Sequence, residues 1–382
     1  MKQDWQKDFE DYAKSHLPEV KALLKEWAAI PAPSHQEEQR ARAVKTWLSA
    51  QGAEGVQIDE AGNVVYEMGC EKAERIAVFM AHMDVVFPDT EAFTVREEEG
   101  RMYAPGIGDD TANLVLLMMS VKYLLERKAE PAKGWGILFA ANVCEEGLGN
   151  LKGSRAVCEK WKDKIAAFYS LDGYLGWAVT QAVGSQRYRV TVRTEGGHSY
   201  SAFGNPNAIH ILAGLIQSLY AVRLPEGAKT TYNVGTIQGG TTINSIAQEA
   251  SMTYEFRSED HKCLKYMEDF FYGTVKALGL AGWDVETEVL GIRPCNKGVD
   301  QEALRSLEES CRKVISMYWD GQVKTKASST DANIPLSMGI PACTVGCVAG
   351  GGAHTREEWI ETDSLLPGFL TALGMVMRYI SS

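Results

Sequence analysis

The stretch Leu138-Phe139-Ala140-Ala141-Asn142-Val143-Cys144-Glu145-Glu146-Gly147 constrains this chain more than any other. Its first half is a near-continuous apolar run, the pattern of a strand buried on both faces of a sheet. Its second half is two adjacent carboxylates and a glycine. Carboxylates at the end of a buried strand are costly unless a positive charge meets them. A solvated pair of loop acids is the plain alternative. On a strand end the two side chains diverge, so one can bind a metal while the other stays free as a base.

Two more runs have the same form. Ile76–Ala81 ends in His82-Met83-Asp84, and Ile165–Leu171 ends in Asp172-Gly173. Residues i and i+2 of a strand share a face. His82 and Asp84 therefore point the same way, or the carboxylate holds the imidazole from behind. A turn, Gly106-Ile107-Gly108-Asp109-Asp110-Thr111, leads into a helix expected over 114–127. Gly-x-Gly before a helix invites a dinucleotide reading, which the turn excludes. Its sixth position is Thr111 rather than Gly or Ala, and two acids stand where a pyrophosphate would sit. Capping of the helix would account for one of those acids better than for both. In an open α/β sheet the strand C-termini form the functional edge. This many acids there, joined by a histidine, point to a functional site.

The rest of the chain supplies the frame. A helix is expected over 4–29, with Trp5, Phe9, Tyr12, Val20, Leu23, Leu24 and Trp27 as its apolar positions. Ser34 with Glu37 reads as a capping box for a second helix reaching about Ala50. Short strands follow over 56–58 and 63–67, and a helix over 150–160. Near Gly184 the pattern changes. A strand over 187–193 leads to Gly196-Gly197-His198-Ser199, and then come a helix (206–222), strands (232–238 and 251–257), a helix (260–278) and a strand (283–290). That order is the split βαβ sandwich. It marks an inserted domain, 184–293, between the two parts of a larger one, 1–183 and 294–382. The second part reads as a helix (300–317), a short helix from Ser329, a strand (341–345), a flexible loop carrying His354, and a final helix (363–380).

The formal net charge is −11, which argues against nucleic acid as a partner, since phosphate binding wants a basic face. No run is long and apolar enough to span a membrane, and the first residues lack the apolar centre of a signal peptide. The eight cysteines are scattered, with no Cys-x-x-Cys pair, as expected of reduced thiols in the cytoplasm.

In order and spacing, His82-Met83-Asp84, Gly-x-Gly-Asp109-Asp110, Glu145-Glu146-Gly147, Asp172-Gly173, Gly196-Gly197-His198-Ser199 and Gly352-Ala353-His354 resemble a known family. It is the di-zinc exopeptidase and aminoacylase family, which includes peptidase T, glutamate carboxypeptidase and succinyl-diaminopimelate desuccinylase. The likeness runs over essentially the whole chain and is nearest to the peptidase T-like branch. It implies an α/β catalytic domain with a mixed, mostly parallel sheet between helices, and an inserted α+β ferredoxin-like dimerisation (lid) domain. It implies two divalent metal ions per subunit, zinc first, with cobalt or manganese also suited to the donors. Asp109 would bridge the two. His82 and Asp172 would complete one site, and Glu146 and His354 the other. Asp84 would orient His82, Glu145 would be the general base, and His198 would come from the inserted domain of a partner subunit. Asn244 and Arg257 resemble positions that grip a substrate carboxylate. Many members carry Lys and Gly where this chain has Thr111 and Ala112, which are not ligand positions.

The expectation is a cytoplasmic homodimeric hydrolase that cuts an amide bond in a small peptide, a di- or tripeptide exopeptidase. An N-acyl-amino-acid deacylase would use the same centre. A dimeric binding protein that kept the fold and lost the chemistry is the reading of another class. It predicts a missing ligand or base, and here none is missing.

Overall fold

Arg75–His82, Trp135–Asn142, Ile165–Leu171 and Ala342–Val345 run parallel and side by side. They form the middle of a seven-stranded sheet. Its antiparallel margins are Gln57–Ile58 with Val64–Met68 on one side and Ala178–Val179 on the other. Residues 2–381 are described, in a computed structural model. The side chain of Trp5, one of the expected apolar positions, lies outside the described residues.

The central strands are apolar at consecutive positions because each face of the sheet has its own core. Ala77, Phe79, Ala81, Ile137, Phe139 and Ala141 belong to one cluster. Ile76, Val78, Met80, Leu138 and Ala140 belong to the other. The first is closed by Lys2–Ala29, Glu38–Ala50, Ala112–Glu126 and Leu365–Val376, through Trp27, Leu48, Leu116 and Phe369 among others. The second is closed by Lys152–Trp161 and Asn333–Ser337, through Val157 and Ile334. Full burial of each such side chain contributes about 1.5–3 kcal/mol. This double covering leaves the strand C-termini as an edge from which loops can rise.

One part of this frame was not expected from the sequence. Gly350–Gly351, Trp359–Glu361, Arg101–Tyr103 and Arg96–Glu98 make a small four-stranded sheet. Its strands are two or three residues long, too short for alternation to register. Through it the loop with His354 is tied back by pairing on both sides, and Ala104 N–H donates to the Glu358 carbonyl at 3.1 Å.

Val183–Asn296 forms a separate compact unit. Its strands lie in the order Thr230–Gly239, Glu249–Ser258, Gly184–Arg193, Asp284–Arg293, all antiparallel. Helices Ala208–Tyr220 and His261–Leu280 are capped by Asn207 and Asp260, whose side chains accept the first N–H groups. They pack Leu212, Leu215 and Phe271 against Tyr188, Met252 and Phe256 of the sheet. The fold class is α/β with a mixed central sheet, carrying an inserted α+β ferredoxin-like unit.

Some local expectations need correction. The helix Glu38–Ala50 has no side-chain cap, so Ser34 and Glu37 form no capping box. Both side chains are drawn away by tertiary partners described below. The short helix expected from Ser329 begins at Asn333. The final helix is framed by 3-10 turns, Thr362–Ser364 and Met377–Tyr379.

Candidate metal centre

Each loop at the C-terminal edge of the parallel strands brings donor atoms. His82 is the last residue of its strand. Asp172 follows Ile165–Leu171 directly. Asp109 sits in the wide turn Ile107–Thr111 that opens the helix Ala112–Glu126, and its peptide bond to Asp110 is cis. Glu145 and Glu146 lie beyond the end of Trp135–Asn142, after Cys144 at φ 59. Their side chains are therefore set by a turn, where the strand pleat was expected to set them. His354, at φ 63, stands in the loop between Gly350–Gly351 and Trp359–Glu361.

The Asp109 carboxylate stands between two imidazoles. Its Oδ1 is 3.1 Å from His82 Nε2 and its Oδ2 is 3.2 Å from His354 Nε2. His354 Nε2 also lies 3.0 Å from Glu146 Oε1. Two donor groups thus share Asp109: His82, Asp109 and Asp172, and then Asp109, Glu146 and His354. A third grouping joins His82, Glu145 and Glu146, and in each group the donor atoms lie within 4.8 Å of one another.

The electrostatics show what the donor set lacks. Burial, then the charge of Asp109, pushes the Asp172 carboxyl up to about 7. Burial works to raise Asp109 too, but hydrogen bonds from His354 and His82 more than reverse it. Bonds to Asp109 and Glu146 push His354 up to about 11. The imidazoles are drawn toward the charged form because the carboxylates around them need positive charge. Three carboxylates with two imidazoles are also the donor chemistry of divalent transition metals, zinc among them. The residues present fit such ions.

The model of peptidase family M20/M25/M40 matches residues 78–378, most of the chain and all of the donors above. The chain belongs to that family. It is a metallo-hydrolase with peptidase and desuccinylase relatives. Succinyl-diaminopimelate desuccinylase of Corynebacterium glutamicum is 25% identical over 349 residues, covering 88% of this chain and 90% of its own. A tripeptidase from Staphylococcus aureus has the same fold, with TM-score 0.73 and 23% identity over 95% of this chain and 99% of its own. So does a dinuclear metal-binding peptidase of the M20 family from Bacillus subtilis, with TM-score 0.62 and 15% identity over 96% and 100%.

In this M20 chain Asp84 does more than face a histidine. His82 Nδ1 lies 3.0 Å from the Asp84 carbonyl oxygen and 3.4 Å from its Oδ1. The shorter bonds of the Asp84 carboxylate run elsewhere. Glu145 N–H donates to Oδ1 at 2.9 Å, Glu146 N–H to Oδ2 at 2.9 Å, and the Ser34 hydroxyl to Oδ2 at 2.7 Å. One buried carboxylate thus ties the two glutamates to the histidine strand. Glu37 continues this support by accepting the Cys144 N–H at 2.9 Å.

Asp110 is not a cap either. Its carboxylate accepts the His82 N–H at 2.9 Å and the Asn113 amide at 2.6 Å, and the helix begins without a side-chain cap. Asn113 and Arg40 were missed by sequence reasoning. Asn113 also donates to the Gly173 carbonyl at 3.0 Å and accepts the Cys347 N–H at 2.7 Å, so it joins three loops. Arg40 is fully buried; it donates to the Met83 carbonyl at 2.7 Å, to Thr111 Oγ1 at 3.3 Å and to the Ile30 carbonyl. Thr111 in turn donates to the Gly106 carbonyl at 2.7 Å, closing the turn. The signal was a polar residue at a buried register of an otherwise apolar helix face.

His198, Asn244 and Arg257 belong to the inserted unit. Gly197–His198 pairs with Ser245–Ile246, and Ser199 N–H donates to the Asn244 carbonyl at 2.9 Å, so His198 and Asn244 are neighbours. Arg257 is not with them. It lies near the far end of Glu249–Ser258, bonded to Glu255 at 3.0 and 3.1 Å.

Asp84→Asn supplies a test of this support. An amide cannot accept from three donors with both its oxygen and its nitrogen, so one N–H or hydroxyl is left facing another donor. Loss of stability of about 1–3 kcal/mol is expected, read as a lower urea midpoint. Asp89→Asn, at an exposed pair with Arg356, should leave the midpoint unchanged. Equal midpoints for wild type and Asp84→Asn would show that Asp84 does not hold the turn.

Proposed function

We propose that the protein hydrolyses a peptide bond in di- or tripeptides as a two-metal exopeptidase with Glu145 as general base. The observation that carries this reading is the Asp109 carboxylate, with one oxygen toward each of two histidine-containing donor groups. His82 and Asp172 would hold one ion with Asp109, and Glu146 and His354 the other. Zinc suits the set, and cobalt or manganese would also fit. Such ions would supply Lewis-acid polarisation of the scissile carbonyl and make water acidic near neutral pH.

The chain's own residues do the rest. Glu145 takes a proton from the attacking water and passes it to the leaving amine. It is only 4% exposed, and it shares a 4.8 Å cluster with His82 and Glu146, so its carboxylate works beside the donors and away from bulk water. Asp84 accepts both glutamate N–H groups, which fixes the backbone from which Glu145 and Glu146 would take their separate tasks. His198 would donate to the developing oxyanion.

The tripeptidase fold neighbour supports a peptide substrate. The desuccinylase relative supports the second reading, an N-acyl-amino-acid deacylase with the same centre. The eight cysteines are buried and free, which supports a reducing, cytoplasmic setting. Among the described residues no helix is long and apolar enough to cross a membrane.

The inserted unit supports a homodimer. His198 and Asn244 lie beyond the Glu249 end of Glu249–Ser258, while Arg257 is eight residues along it, roughly 26 Å away. A small peptide cannot touch both ends of one unit. In a two-fold dimer, His198 and Asn244 of one chain can meet a substrate held by Arg257 of the other.

The two adjacent glutamates separate the tasks. Glu145→Ala should keep metal near wild-type occupancy and lose most turnover, whereas Glu146→Ala should lose metal as well. Metal analysis after dialysis reads this directly, and full occupancy in both variants would overturn the assignment.

Subunit exchange tests the shared site. His198→Ala and Glu145→Ala should each be nearly inactive, since a lost oxyanion donor alone costs on the order of a hundred- to a thousand-fold. After random mixing, about half the dimers are mixed, and one site in each carries neither lesion, by two-fold symmetry. About a quarter of wild-type activity should return. Activity that stays at the background of the separate variants would mean that His198 serves its own chain.

A further inference from the structure

We propose that Glu358 is the positioning residue for Asp109, and that it couples the placement of Asp109 to that of His354. The inference rests on the two-metal reading above and adds a residue to it. Glu358 is 1% exposed. Its Oε2 accepts the Gly106 N–H at 2.9 Å, and its Oε1 accepts the Gly108 N–H at 2.9 Å and the Asp109 N–H at 2.7 Å. The Tyr174 hydroxyl donates to the same Oε1 at 3.4 Å. The Glu358 carbonyl accepts the Ala104 N–H at 3.1 Å. One residue therefore grips the turn from Ala104 to Asp109 with its side chain and its backbone.

The Gly-x-Gly pair has its explanation here. A Cβ at Gly108 would stand 3.0 Å from Glu358 Oε1 and 2.8 Å from Tyr174 Cε1. A Cβ at Gly106, where φ is +69, would stand 2.2 Å from Val85 Cγ1. A side chain at Gly108 would crowd the carboxylate and the Tyr174 ring, and one at Gly106 would crowd Val85. Successive N–H groups of this kind form a concavity suited to an anion, and here a carboxyl group of the protein itself fills it, pushed up to about 7 by burial and by Asp109 against the pull of those N–H groups.

The consequence for the centre follows from connectivity. Asp109 is the shared carboxylate, and its own N–H is the shortest of the three bonds to Glu358. His354 is four residues before Glu358 in the same loop. The loop that delivers one imidazole thus also anchors the carboxylate that meets both imidazoles. Shifting Glu358 would move the bridging ligand relative to His82 and alter both donor groups together.

The test uses zinc titrated into metal-free protein, with thermal unfolding of the metal-free and zinc-loaded forms. Glu358→Gln keeps the shape but turns an amide NH2 toward the N–H groups. It should weaken zinc binding roughly ten- to a hundred-fold, the usual effect of losing a group that orients a ligand. The zinc-induced rise in unfolding temperature should shrink with it. Glu357→Gln, next in the chain but 77% exposed, should match wild type in both readouts. A purely structural Glu358 would lower both unfolding temperatures equally and leave zinc affinity intact, which overturns the proposal. If Glu358→Gln does not fold, hydrogen exchange on metal-free wild type decides. The amides of Gly106, Gly108 and Asp109 should be protected like those of Trp135–Asn142, and rapid exchange overturns the proposal. Wild type that takes up no zinc removes the two-metal reading and this inference with it. Wild type with two zinc ions and an equally tight Glu358→Gln removes this inference alone.

Discussion

Carboxylates that share a buried edge repel one another, and burial raises the cost of each charge. Asp84, Asp109, Asp110, Glu145, Glu146 and Asp172 all gather at the C-terminal edge of the central sheet, and the surrounding structure answers that demand. Asp84 is met by two backbone N–H groups, a hydroxyl and an imidazole. Asp110 is met by the His82 N–H and the Asn113 amide. Asp109 and Glu146 are met by the imidazoles. The compensation is incomplete at Asp110, whose carboxyl stays pushed well up by burial, and at Asp172, pushed up by burial and by Asp109. In the proposed function, divalent ions finish the neutralisation, so the same surplus of negative charge that strains the metal-free edge is what would bind them.

Much of this edge was legible in the sequence because buried parallel strands are apolar on both faces. Ile76–Ala81, Leu138–Val143 and Ile165–Leu171 stood out, and the acids just past them marked the loops. The supporting groups were hidden because sequence spacing does not encode partners from distant loops. Ser34-x-x-Glu37 has the spacing of a capping box, yet Ser34 goes to Asp84 and Glu37 to Cys144. Tertiary bonds to a buried carboxylate and a buried N–H outweigh a local cap on a surface helix end. Glu357 and Glu358 look alike as adjacent acids. One is exposed beside Arg96, and the other lies under the Gly106–Asp109 turn. The two- and three-residue strands that put it there carry no periodicity to read.

All the donors of the candidate centre come from one compact unit, and the inserted unit contributes none of them. This separation gives the two parts different work. The larger unit fixes donor atoms through a rigid double core and a web of buried carboxylate bonds. The inserted unit carries His198 and Asn244 at one end of its sheet and Arg257 toward the other, a spacing that in the proposed function calls for a second chain.

The central claim is that Asp109 is shared by two metal ions. Anomalous diffraction from crystals of the zinc-loaded protein, recorded on both sides of the zinc absorption edge, tests it most directly. The account predicts two zinc peaks per chain flanking the Asp109 carboxylate, one toward His82 and Asp172 and the other toward Glu146 and His354. A single peak, or two peaks of which only one touches Asp109, would contradict it.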